Sequence, residues 1–319
     1  MSDVLDRTDV PARLRHLTGM RERHPDRPRV KVNLYRGAEV AAVAEAAREV
    51  ARERGHESID CLMVADSYLM THLGRSSTRL DPAERDWFMD VMCDLTAEVA
   101  RATAQSFAAD TRPFIIGDMP DGAAETPVAA LANARRLCAA GADVVKLEVH
   151  GEATFAALAE VAAAGVPAIA HLGYVPQSSA NRRYGTTVQE ALELFALARR
   201  ARAAGAVGLV LERVTVAVNS RLSAPAATGL PVWSVFSGRC RHAGQSLNVW
   251  DSVFRPGFAA IGFPPTAELT RESYPAAYTH DTIRSRFAAL LRLTLDGHFP
   301  ILPAATGEPP LGDVAPWEE

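Results

Sequence analysis

Short, continuous apolar runs recur along the chain, separated by longer Ala-rich stretches with helical spacing. Val30–Leu34, Ile59–Ala65, Phe114–Asp118, Val144–Val149, Ala168–Leu172, Val207–Glu212 and Pro231–Phe236 each read as a strand buried on both faces. Ala38–Arg54 reads as a helix, because Val40, Val43, Ala44, Ala47 and Val50 fall on one face and Gly55 follows as a C-cap. Asp81-Pro82 and Thr126-Pro127 read as an N-cap followed by proline at the first helical position. They open helices that run to about Ala108 and to near Gly141. Further helices are expected up to Gly165, over Thr187–Ala204, over Val216–Ala227 and over Thr282–Gly297. The AAGA breaks at Ala139–Ala142 and Ala203–Ala206 read as helix-to-strand turns with glycine as the cap. Periodicity leaves the eighth strand open between Ser246–Trp250 and Phe258–Phe263. Strands alternating with helices in this way predict an α/β fold, a (β/α)8 TIM barrel over residues 29–299. An N-terminal arm over 1–28, with a short helix at Val10–Arg21, and a Pro/Gly-rich tail over 300–319 would flank it.

Carboxylates stand where three of these runs end: Asp66 after IDCLMVA, Asp118 after PFIIG, and Glu148 within VVKLEV. In a parallel barrel the strand C-termini converge on one face, so three such acids could meet around one hard cation. Lys146 and Glu148 alternate with Val145 and Leu147, and this two-residue period points both polar side chains into the barrel. Glu212 ends the apolar run Gly208–Leu211, and His171 lies within another. Taken singly, each has an ordinary alternative. Asp66 suits a helix N-cap, Asp118 a turn before Pro120, His171 a hydrogen-bonded core position, and Glu212 a surface ion pair with Arg213.

Composition narrows the function class. The 319 residues suit one large barrel, and a formal net charge of -4 gives no footprint for nucleic acid or an anionic membrane. No apolar stretch approaches the roughly 20 residues of a membrane span. The first residues lack an apolar signal core, so a cytoplasmic location is expected. The four cysteines, Cys61, Cys93, Cys138 and Cys240, show no metal-ligand spacing and read as reduced thiols.

In order and spacing, MVADS, GDMP, VVKLE, AHLGYVPQS and LVLE resemble the ketopantoate hydroxymethyltransferase family, within the phosphoenolpyruvate mutase and isocitrate lyase group of barrels. The likeness spans about residues 30–300, and a final stretch, Cys240–Asp251, would place strand eight at Gln245–Trp250. It implies a (β/α)8 barrel in a homo-oligomer that uses Mg²⁺ to form an enolate of a 2-oxo acid and adds a one-carbon unit from methylenetetrahydrofolate. Residue by residue, it implies Asp66 and Asp118 as metal ligands and Glu148 as an acid on the metal's water shell. It implies Ser67 and Lys146 on the substrate carboxylate and carbonyl, Glu212 as the base at C3, and His171 beside substrate and folate.

The chain departs from the family pattern in its loops. Ala65-Asp66-Ser67-Tyr68-Leu69-Met70 stands for Gly-Asp-Ser-Leu-Gly-Met, and Asn33-Leu34-Tyr35-Arg36 for Thr-Ala-Tyr-Asp. Asp121-Gly122-Ala123 follows GDMP, and Ser234–Arg239 replaces a Gly-rich stretch. Retained acids with altered loops point to the same enolate chemistry on a small 2-oxo acid other than ketoisovalerate. Tyr68 and Leu69 would add bulk beside the metal, and Arg36, Arg239 and Arg241 would suit an additional anionic group or serve as solvated loop charges. A carbon–carbon or carbon–phosphorus lyase or mutase, and a non-catalytic ligand-binding barrel, are the other readings. Against the lyases, the chain has no Lys-Lys-Cys-Gly-His loop.

Overall fold

The structure is a computed structural model that describes residues 27–254 and 274–298. Eight parallel strands close into a barrel in chain order, β1 to β8. They are Val30–Leu34, Cys61–Val64, Phe114–Asp118, Val144–Glu148, Ala168–Gly173, Gly208–Glu212, Val232–Val235 and Gly244–Asn248. Strand β8 pairs with both β7 and β1, Ser246 lying opposite Lys31 and Asn248 opposite Asn33. The closing strand is therefore Gly244–Asn248, and the chain turns helical directly after it, at Val249–Phe254. The alternative at 258–263, the arm helix at Val10–Arg21 and the tail all fall outside the described residues.

The helices lie outside the barrel and bury the faces that their spacing indicates. Gly37–Arg54 buries Val40, Val43, Ala44, Ala47 and Val50, and Gly55 closes it in the left-handed region. Thr126 and Thr187 cap Pro127–Ala139 and Val188–Ala203 through their hydroxyls. Two expectations are corrected. Asp81 stands at an N-cap position but makes no cap bond, and Pro82–Glu84 form a 3₁₀ turn before the α-helix Arg85–Ser106. Val216–Ala227 divides into Val216–Ser223 and Pro225–Thr228. Pro225 has no N–H to donate and disfavours the helical conformation at Ala224, which is extended with ψ 137.

Alternation along the strands sorts the apolar side chains into two clusters. Leu62, Val64, Ile115, Val145 and Leu147 pack outward against the helices. Cys61, Phe114, Ile169 and Trp233 pack together in the second cluster, which fills the lower barrel interior. The barrel is a packed core at this level, apart from Lys31 opposite Cys61, and becomes more polar toward the strand C-termini.

An aspartate before an even-numbered strand sets the register twice. Asp60 donates its backbone N–H to Val30 O at 2.9 Å and accepts the Val30 N–H on its carboxylate at 2.5 Å. Asp143 does the same with Ile115, at 2.8 Å in both directions. Both aspartates are buried. Replacing Asp143 with alanine strands the Ile115 N–H without a partner inside the protein. We expect a loss of about 1–3 kcal/mol in unfolding free energy, read from the midpoint shift of urea denaturation at unchanged slope.

Candidate active site

The side chains that leave the C-terminal ends of the strands line one cavity of about 260 Å³. Asp66, Asp118, Glu148, Lys146, His171 and Glu212 all contribute to it, as does Ser67. Register brings them together: Asp118 lies opposite Lys146, Glu148 opposite His171, and Glu212 opposite Gly173. Asp66 follows β2 and begins the turn into the short helix Tyr68–Thr71. It sits against Asp118, whose Oδ2 accepts the Asp66 backbone N–H at 3.2 Å.

The electrostatics follow from burial. Lys146 Nζ lies 2.7 Å from Asp118 Oδ1, with both side chains almost fully buried. Burial works against the Lys146 charge, but Asp118, Asp66 and Glu148 raise its pKa above the ordinary lysine value. Burial, and then the neighbouring Asp118, push the Asp66 carboxyl up to about 7. Burial likewise raises Glu148 well above the usual carboxylate range, although Lys146 opposes this. His171 is shifted down by burial and by Lys146, which favours the neutral ring. Its Nε2 stands 3.3 Å from Glu212 Oε2 and its Nδ1 3.7 Å from Glu148 Oε1, and neither nitrogen makes an aligned hydrogen bond.

Gln177, which the sequence offers only as part of a motif, ties two of the acids. Its Nε2 donates to Asp66 Oδ2 and to Met119 O, both at 3.0 Å, and its backbone N–H donates to Glu148 Oε2 at 3.0 Å. Ser67 Oγ is 3.0 Å from Tyr35 Oη, which also accepts from Asn248 Nδ2 at 2.7 Å. Lys31 is a second lysine in the cavity. It alternates within VKVNL as Lys146 alternates within VVKLE, so the same two-residue period was there to be read.

Backbone geometry holds Glu212 in place. Gly173 has φ +91, and a Cβ there would stand 2.4 Å from Glu212 O, so glycine lets the ends of β5 and β6 meet. Arg213 has φ 51 although it is not glycine, and its N–H is fixed on Val235 O at 2.8 Å. Backbone held in this region is enriched at functional sites. Arg213 is buried, its Nε 3.9 Å from Glu212 Oε1, so the pair lines the cavity and is not a surface ion pair.

Other expected contributors lie elsewhere. Leu69 packs into the outer core and Tyr68 stacks on His72 with ring centroids 4.7 Å apart, so neither lines the cavity; Met70 does. Arg36 pairs with Glu98 at 2.9 Å, and Arg239 and Arg241 are exposed and outside the cavity. The arginine of the cavity is Arg213.

Oxygen donors dominate the set, and no thiol joins the acids: Cys61 and Cys138 are buried, and all four cysteines are free. Among the described residues, no three acid, histidine or cysteine side chains are already gathered into a coordination set. The adjacent carboxylates Asp66 and Asp118 fit a hard cation that takes its remaining oxygens from water and ligand, as Mg²⁺ commonly does. Glu148 Oε1, buried without a hydrogen-bond partner, would accept from that water shell.

Comparison with known proteins identifies the family. The sequence profile of ketopantoate hydroxymethyltransferase matches residues 32–254. A 3-methyl-2-oxobutanoate hydroxymethyltransferase of Thiobacillus denitrificans is 32% identical, covering 85% of this chain and 95% of the relative. One from Cenarchaeum symbiosum is 35% identical, covering 64% and 76%. Among solved structures, a candidate lyase/mutase of Burkholderia cenocepacia J2315 superposes with TM-score 0.51 at 16% identity, covering 87% of this chain and 98% of that one, a likeness of fold. No helix among the described residues is long and apolar enough to cross a membrane. With this profile match over most of its barrel and with these relatives, the chain belongs to the ketopantoate hydroxymethyltransferase family.

Proposed function

We propose that this protein is a Mg²⁺-dependent hydroxymethyltransferase that forms an enolate of a 2-oxo acid and adds a one-carbon unit from methylenetetrahydrofolate. The observation that carries the reading is the placing of a carboxylate, Glu212, across one cavity from the buried Asp66–Asp118–Lys146 cluster, with His171 between acids. When bound by Asp66 and Asp118, Mg²⁺ would polarise the 2-oxo group and so acidify the adjacent C–H.

The chain's own residues supply the rest. Ser67 and Lys146 hold the carboxylate and carbonyl end of the substrate, and the buried Lys146 ammonium is a fixed positive charge for oxygen that gains charge as the proton leaves. Glu212 takes that proton from C3, with Oε2 facing His171 and Oε1 facing Arg213. The neutral His171 ring stands 3.3 Å from Glu212 Oε2 and lies where substrate and folate would meet. Gln177 fixes Asp66 and Glu148 through one hydrogen bond each, limiting their motion when charge changes. The small-molecule partner is a 2-oxo acid other than ketoisovalerate. Supporting this, the cavity presents the polar Lys31 and Asn33, which a branched hydrocarbon side chain would leave without partners. A homo-oligomer and a cytoplasmic location belong to the same proposal.

Purified protein with Mg²⁺ and 2-oxo acids in D₂O should exchange the C3 hydrogens, followed by NMR. Glu212→Gln, which keeps size but takes no proton, should slow this exchange by on the order of 10²–10⁴; exchange at the parental rate would move the base elsewhere. Chelation should stop exchange and Mg²⁺ should restore it. Asp66→Asn should weaken Mg²⁺ binding measured by calorimetry, with little change in the far-UV circular dichroism. Assayed beside an ordinary family member, ketoisovalerate with methylenetetrahydrofolate should turn over poorly, and equal kcat/KM would remove the case for another substrate.

A further inference from the structure

Lys31 has no assigned task in this chemistry, and its setting is unusual. It is the second residue of β1 and 0% exposed, yet it lines the cavity. Its ammonium donates to Asn33 Oδ1 at 2.5 Å and approaches the weak acceptor Met63 Sδ at 3.5 Å. Among the described residues it forms no ion pair with a carboxylate: Asp118 is taken by Lys146, and Glu212 faces His171 and Arg213. A buried ammonium with one neutral oxygen partner is costly, and an anion that reached it would remove most of that cost. Burial lowers Lys31 to about 8, which still leaves it charged at neutral pH.

Depth indicates which part of a ligand it meets. Asp118, Glu148 and Glu212 are the last residues of their strands, at the cavity mouth. Lys31 rises from a lower layer, level with Cys61 and Ser246 and one inward position below Asn33. A substrate whose carboxylate and carbonyl sit on Ser67, Lys146 and the acids would direct its other end toward Lys31. Asn33 sits between Lys31 and Ser246 Oγ, which is 3.3 Å from Asn33 Oδ1, so hydrogen-bonding groups continue around that end.

We propose that Lys31 is a specificity-determining residue that binds an anionic group at the far end of the substrate, which makes the substrate a 2-oxo dicarboxylic acid or a 2-oxo acid ending in a comparable anion. This rests on the 2-oxo-acid reading of the same cavity. The geometry is that of a lysine on β1 which forms no ion pair with a carboxylate among the described residues and reaches the cavity from beneath the acids.

The test is equilibrium binding with Mg²⁺ present, by calorimetry, of paired 2-oxo acids of four, five and six carbons that end in carboxylate or in methyl. The parent should bind at least one carboxylate-ended acid more tightly than its methyl-ended partner, by on the order of 10–10³-fold for a desolvated charge pair. Lys31→Met, close in volume and neutral, should bring that ratio to near one. Because it removes a buried charge that forms no ion pair among the described residues, it should also raise the melting temperature of the ligand-free protein, whereas a structural lysine would lower it. Lys31→Gln provides a second neutral variant with the same expected loss of preference. A parent that binds both members of every pair alike, or a Lys31→Met protein that keeps the preference, overturns the proposal. Deuterium exchange in the same samples reports separately on the enolate. Preference without exchange would retire the enolate reading and leave Lys31 as the anion-binding residue.

Discussion

Closure of eight parallel strands is the constraint on which the rest depends. A closed barrel has no free edge, so every strand must present one set of alternate residues to the helices and the other to the interior. The outward set is mostly apolar, as Leu62, Val64, Val145 and Leu147 show, with Ser234 and its bond to Asn219 an exception. The inward set changes character with height. Below, Phe114, Ile169 and Trp233 fill the space; above, the inward positions carry Lys146, Glu148 and His171. The packed floor lies below the cavity that the acids line.

Collecting buried acids at the mouth of a barrel is expensive, and the structure offsets the cost unevenly. Asp118 has a lysine at contact distance and Asp66 a glutamine amide, while one oxygen of Glu148 has no hydrogen-bond donor. In a medium of low dielectric constant each incomplete pairing is a standing attraction for a complementary group. In the proposed reading the acids attract a hard cation and Lys31, from a lower layer, attracts an anion. A site that is electrostatically unfinished in both senses discriminates against ligands that lack either charge, because they leave a buried group unpaired.

The strands, the helix faces and the inward direction of Lys146 and Glu148 were legible in the sequence because they express a local period; Asp66, Asp118 and Glu212 were read from the ends of apolar runs, and His171 from the family resemblance. Where pattern failed, a longer-range contact decided. Two apolar runs competed for the eighth strand, and pairing with both β1 and β7 selected Gly244–Asn248. Tyr68 and Leu69 follow Asp66 directly, yet a single helical turn carries them away from the cavity and brings Met70 in. Arg36 looked like a mouth residue and is held by Glu98 from the helix Arg85–Ser106. Gln177 was visible only within a motif, since nothing local shows that its amide crosses to Asp66.

By itself the sequence determined the barrel and the chemical type of its site. Apolar runs with helical spacers have few ways to bury both strand faces, and acids that end such runs must emerge on one side. Only the tertiary structure decided which charges are compensated. That depends on distances between strands remote in the chain, such as Lys146 to Asp118 and Lys31 to Asn33 and Met63. The strength of a buried charge interaction is set by those separations and by the exclusion of water, neither of which a one-dimensional pattern contains.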